Sequence, residues 1–160
     1  FLPLLLEIFP EAKFIIMIRD PRGAVASSLG LKKNNPELVP SMYSFARHVR
    51  KHMAHTIHFM NTSIYSDRIK VIQYESLSSD PGGILSSVCD FLDIDYDVNM
   101  LNTEKFRPIT GDKWAKYSNF DVPDKGIYTQ SIDGWKTRLT DDVVEFVEYV
   151  CSPEMSYFHD

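Results

Sequence analysis

"KFIIMIRDPRGAVASS", residues 13–28, is the segment from which the remaining chain can be read. Phe14 to Ile18 are all apolar, and they run into a charged turn of Arg19, Asp20, Pro21 and Arg22. A run this short, apolar throughout and bounded by turn signals, predicts a strand over 13–18 buried on both faces, as in parallel sheets. Asp20 suits a helix N-cap and Pro21 the first helical position, so a helix is expected over roughly 21–31. In open α/β sheets, ligands bind beyond the carboxyl ends of the strands. Arg19 stands at such an end, and the free N–H groups and dipole of the next helix favour an anion there. Gly23, Ala24, Ala26, Ser27 and Ser28 keep that helix slim. Ser27 follows Arg19 by eight residues, about two turns into the helix. A guanidinium fork and a hydroxyl can therefore converge on one phosphate. The competing reading pairs Arg19 with Asp20 or a neighbour and leaves Ser27 as a small packing residue.

Outward from that segment, residues 2–9 carry a helical apolar pattern ended by Pro10. "KKNNPELVP" reads as a polar loop, followed by a long helix over about 41–62. Its expected core stripe is Met42, Phe45/Ala46, Val49, Met53, Ile57 and Met60. A second strand is expected over 69–74, and "SSDPGG" then starts a helix running through Phe91 with Ile84, Leu85, Val88 and Leu92 on one face. Residues 95–127 show no period, and irregular stretches of that length tend to be functional or mobile. A last helix starts at Thr140, with Asp141 and Asp142 where the dipole favours them. Strands alternating with helices predict an α/β fold with a parallel sheet.

Bulk properties narrow the functional classes. The chain has 160 residues, net charge −5, 44% hydrophobic and 24% charged residues, which fits one soluble globular domain. Mild acidity argues against a general nucleic-acid binder, which would present a basic face. No apolar run approaches the ~20 residues of a membrane span, so no membrane contact is expected within these residues. Cys89 and Cys151 each lie among apolar residues of an expected helix and read as buried thiols, with a disulfide as the lesser alternative.

With these residues in view, the chain resembles the sulfotransferases that use 3′-phosphoadenosine-5′-phosphosulfate. "FPEAKFIIMIRDPRGAVASS" is similar to their 3′-phosphate segment, a strand followed by Arg-(Asp/Asn)-Pro-(Arg/Lys) and a Ser eight residues after the Arg. The resemblance gives Arg19 and Ser27 that phosphate. "KVIQYESLSSDPGGILSSVCDFLDI" resembles the family's strand ending in Tyr-Glu, which places Tyr74 beside the adenine and makes Glu75 a structural hydrogen-bonding residue. The alternative for Tyr74 is an ordinary aromatic at a strand terminus. "YTQSIDGWKTRLTDDVVEFVEYV" resembles the closing "S…W(K/R)" segment and final helix, with Trp135 read as a packing anchor. Tyrosyl-protein relatives complete the cofactor cage with a Ser and a Lys, which correspond here to Ser118 and Lys125. The "RDPR" form is closer to carbohydrate and tyrosyl-protein sulfotransferases than to the cytosolic enzymes.

The resemblance implies a P-loop-like α/β domain: a parallel sheet flanked by helices. The sequence holds no Gly-rich Lys-(Ser/Thr) loop to cradle a 5′-phosphosulfate. Residues 1–160 are therefore expected to be a single unit, the C-terminal part of a sulfotransferase domain lacking the N-terminal phosphate-loop unit. An open sheet edge and uncovered apolar faces should accompany that arrangement. The implied chemistry is sulfuryl transfer to a hydroxyl of a carbohydrate or protein, with no metal and no catalytic residue assigned in this chain. By itself the chain is expected to be inactive. Golgi-lumen localisation follows if the tyrosyl-protein or carbohydrate likeness holds. Two rivals stand beside this reading: a P-loop kinase-like phosphotransferase, and a non-catalytic module that binds nucleotide or a protein partner.

His48, His52 and His55 fall on one helical face at spacings that can ligate zinc, but Arg47, Arg50 and Lys51 around them repel a dication. That cationic helix could instead meet an acidic acceptor. Asn61-Thr62-Ser63 is a glycosylation sequon, a triplet common by chance. Asp93, Asp95 and Asp97 lack the Gly and Glu of a calcium loop.

Overall fold

The computed structural model describes residues 2–34, 41–103, 127 and 129–159. Helix α1 (Leu2–Ile8) leads to strand β1 (Phe14–Ile18), helix α2 (Pro21–Asn34) and helix α3 (Met42–Met60). Strand β2 (Ile69–Gln73) is followed by helices α4 (Tyr74–Ser79) and α5 (Pro81–Leu92), and the long helix α6 (Asp141–His159) comes last. β1 and β2 pair in parallel, with Phe14 opposite Ile69 and Ile18 opposite Gln73. The α/β expectation is met, with a small parallel sheet in a helix-rich chain.

Each boundary has a local cause. Pro21 starts α2, and Asp20 caps it, its Oδ1 accepting the Arg22 backbone N–H at 2.8 Å. Ser41 caps α3. Asp80 caps α5 through the Gly83 N–H at 3.0 Å, and its carboxylate lies where a Gly83 side chain would stand. Arg68, just before β2, gathers the end of α1 by donating to the carbonyls of Leu6 (3.0 Å), Phe9 (2.6 Å) and Ala12 (3.1 Å). A cation at a helix C-terminus meets the negative end of its dipole.

The core lies where α2, α3 and α6 meet, around the buried Val25, Ala46, Val147 and Cys151. Several expectations need correction. On α3 the buried residues are Ala46, Met53, Thr56 and Phe59, whereas Met60 is exposed. Thr56 is tolerated inside because its hydroxyl donates to the His52 carbonyl at 2.9 Å. β1 is not buried on both faces: Ile15 and Met17 are 43% and 46% exposed, since the described helices leave that face uncovered. Leu4, Ile8 and Phe9 of the α1 region are also exposed. Tyr74 begins a helix rather than ending β2, α2 runs on to Asn34, and α6 continues through Pro153.

Both cysteines are buried free thiols. Burial pushes the Cys151 thiol up to about 11, with Glu154 adding to the rise. The unfolded thiol ionises first, so the unfolded state holds fewer protons above its ordinary value of 9.0. This group's stabilising contribution is therefore intact below pH 9 and is lost as pH rises towards about 11. Denaturant midpoints measured across that window should fall, and Cys151→Ala should flatten the slope.

Candidate functional site

The site is built by the pairing of β1 with β2. Because Ile18 stands opposite Gln73 in a parallel ladder, the residues that follow, Arg19 and Tyr74, are brought side by side. The Arg19 guanidinium lies 4.2 Å from the Tyr74 ring centroid, a cation–π contact. One residue further on, the Asp20 backbone N–H donates to Glu75 Oε1 at 3.0 Å. The structural role expected of Glu75 is thus observed: it ties the two strand ends together.

The three charges of the turn do different work. Asp20, only 7% exposed, engages Arg22 rather than Arg19. Arg22 Nε and Nη2 donate to its carboxylate at 3.0–3.1 and 2.6 Å, and Arg22 Nη1 reaches Glu148 of α6 at 2.9 Å. Asp20 raises the affinity of the Arg22 guanidinium for its proton above the ordinary value. The Arg22 guanidinium also lies 4.1 Å from the Trp135 ring centroid, in keeping with Trp135 as a packing anchor. Asp20 thus pairs with Arg22, while the neighbours that Arg19 meets are the Ser131 carbonyl and the Tyr74 ring.

Arg19 makes other contacts. Its Nη2 donates to the Ser131 carbonyl at 3.1 Å. Its Nε lies 3.1 Å from the position a Gly23 Cβ would take, so the side chain rests against the first turn of α2. Gly23 and Ser27 are four residues apart on one helix and share that face. Ser27 is half-buried there. Arg19 Nε and Glu75 Oε2 are buried with no hydrogen-bond partner among the described residues. An orphan donor and an orphan acceptor at one junction call for an explanation, and a ligand or water closing the site supplies one. A positive fork, a helix start, a hydroxyl and an aromatic ring suit a phosphate attached to a flat base.

Arg19 and Tyr74 are thus brought together, and Ser27 lies on the helix face against which Arg19 rests. Ser118 and Lys125 lie outside the described residues. Ser131 was missed by sequence reasoning: its hydroxyl sits 2.6 Å from the Tyr74 hydroxyl. Its only signal was its place in the "S…W(K/R)" segment. On α3, His48 Nδ1 meets the Ser44 carbonyl at 2.6 Å and His52 Nε2 the Met17 carbonyl at 3.1 Å. Among the described residues no group of three or more His, Cys, Asp or Glu could hold a metal, and no helix is long and apolar enough to cross a membrane.

Known proteins resemble this chain in sequence and in fold. A family profile described as "Sulfotransferase family" matches residues 1–98. The protein-tyrosine sulfotransferase of Drosophila melanogaster is 28% identical over 142 residues, covering 87% of this chain and 28% of that protein. A putative protein-tyrosine sulfotransferase of Caenorhabditis briggsae is 24% identical, covering 99% of this chain and 61% of that protein. The chain therefore spans less than two thirds of the length of these relatives. In structure it is similar to the sulfotransferase domain from the curacin biosynthetic pathway, with a TM-score of 0.64 and 20% identity over 94% of this chain and 58% of that one. It is also similar to the sulfotransferase domain of the Synechococcus PCC 7002 olefin synthase, with a TM-score of 0.55 and 25% identity over 86% and 48% of the two chains.

Proposed function

The chain belongs to the sulfotransferase family, and we propose that it forms the 3′-phosphate and adenine side of a site for 3′-phosphoadenosine-5′-phosphosulfate. The observation that carries this reading is Arg19, held against Gly23 and Tyr74 while Asp20 is taken by Arg22. Arg19 and the Ser27 hydroxyl grip the 3′-phosphate, and Tyr74 lies beside the adenine. Ser118 and Lys125 complete the cage. When bound, the nucleotide supplies an activated sulfuryl group and a good phosphate leaving group. An acceptor hydroxyl gives up its proton to a base as its oxygen bonds to sulfur, and the S–O bond to the leaving phosphate breaks.

The acceptor in this proposal is a protein tyrosine hydroxyl, in line with what the two curated relatives are named for, with a carbohydrate hydroxyl as the alternative. A Golgi-lumen setting goes with that acceptor. The exposed apolar side chains of α1 and β1 support residues 1–160 being one part of a larger sulfotransferase domain. Residues 1–160 alone, without a loop for the 5′-phosphosulfate, bind nucleotide but do not turn over. The full-length protein should transfer labelled sulfuryl groups to tyrosine-containing peptides, with Arg19→Ala raising KM for the donor. Phosphate transfer from ATP and none of sulfate would favour the phosphotransferase instead.

Gly23 gives a milder test. An added methyl would stand 3.1 Å from Arg19 Nε, so the guanidinium must shift by a few tenths of an ångström. Helix propensity meanwhile favours alanine by about 1 kcal/mol. Gly23→Ala should keep or slightly raise the melting temperature while weakening nucleotide binding several-fold. Equal loss of both would point to misfolding.

A further inference from the structure

We propose that Ser131 is a positioning residue that presets Arg19 and Tyr74 for the nucleotide, an inference that rests on the site proposed above. Arg19 and Tyr74 come from the ends of two strands, and Ser131 comes from a 3-10 turn, Thr129–Ser131, far downstream. Two different atoms of Ser131 hold the two residues. Its carbonyl accepts from Arg19 Nη2 at 3.1 Å, and its Oγ lies 2.6 Å from the Tyr74 hydroxyl. Arg19 in turn lies over the Tyr74 ring at 4.2 Å. The three residues close a ring of contacts, each fixing the next.

This matters because an arginine loses much rotamer freedom when it grips a ligand. Tying one Nη nitrogen and stacking the fork on an aromatic face removes that freedom before binding, which is how preorganisation raises affinity. The fork still offers its Nη1 protons and a second Nη2 proton to a ligand. The turn carrying Ser131 is itself anchored. Four residues on, Trp135 lies 4.1 Å from the Arg22 guanidinium, which is bonded to Asp20 and to Glu148 of α6. Ser131 is thus held over the strand ends from the α2 side as well as from Tyr74.

The test is calorimetry on the full-length protein with 3′-phosphoadenosine-5′-phosphate as the probe. Ser131→Ala and Tyr74→Phe each delete one partner of the hydroxyl pair without touching Arg19. Each should weaken binding by roughly 3- to 10-fold, in the range of one lost neutral hydrogen bond. The double variant should lose no more than either single one, because both remove the same bond. Ser131→Thr, which keeps a hydroxyl, should recover most of the affinity. A purely structural role would lower the melting temperature without this coupling in affinity. Unchanged binding in Ser131→Ala, with Arg19→Ala clearly weakened, would overturn the inference and leave the nucleotide site standing. Unchanged binding in Arg19→Ala would overturn the nucleotide site, and this inference with it.

Discussion

Replacing Arg19 with alanine is expected to weaken binding of 3′-phosphoadenosine-5′-phosphate by about 1.5–3 kcal/mol, roughly 10- to 150-fold. The magnitude is that of a hydrogen bond to a charged group. It is not larger, because the start of α2 and the Ser27 hydroxyl remain and a helix dipole alone contributes about 0.3–1 kcal/mol towards an anion. Arg19→Lys should recover only part of the loss. Lysine keeps the charge but not the planar fork that reaches the Ser131 carbonyl while lying over Tyr74. Stability should fall less than affinity, since within the protein Arg19 gives up one carbonyl bond and a ring contact. A calorimetric titration beside a thermal melt separates the two effects.

Asp20→Ala is expected to be the more damaging change to the fold, by about 2–4 kcal/mol. Three losses coincide. The cap on α2 goes, because Asp20 Oδ1 accepts the Arg22 N–H. The bidentate partner of the Arg22 guanidinium goes, although Glu148 remains bonded to it. Beneath Trp135 a cation is left short of charge compensation with only 23% of its side chain exposed. That partial exposure and the surviving Glu148 contact keep the estimate below the full cost of breaking a buried pair. Asp20→Asn should cost less, because asparagine caps helices well. Urea midpoints would show the effect as a lower midpoint at unchanged slope. A change below about 0.5 kcal/mol would mean that neither the Asp20 cap nor the Asp20–Arg22 pair contributes to the fold.

The strand–turn–helix from Phe14 through Ser28 was legible because its signals are local. An apolar run, an Asp and a Pro each act on neighbouring residues. The contact between Arg19 and Tyr74 was not read from the sequence, because it depends on the parallel register that ends the two strands at the same level. The rest depended on distant partners. Ser131 lies 112 residues from Arg19 and 57 from Tyr74, and no periodicity encodes such contacts. Arg68 carries no local signal for its role, yet it collects three carbonyls around the end of α1. Helix α4 was missed because "YESLSS" is short and polar and lacks an apolar stripe. Thr56 was passed over as a core residue because its hydroxyl hides its burial until the helix supplies a partner.

The most direct measurement compares two ligands that differ only in the 3′-phosphate, 3′-phosphoadenosine-5′-phosphate and adenosine-5′-phosphate, on the wild type and on Arg19→Ala. The wild type should prefer the doubly phosphorylated ligand by about tenfold or more, and that preference should largely vanish in the variant. A folded Arg19→Ala protein that keeps the full preference would contradict the account, because the 3′-phosphate would then be held by something other than this guanidinium.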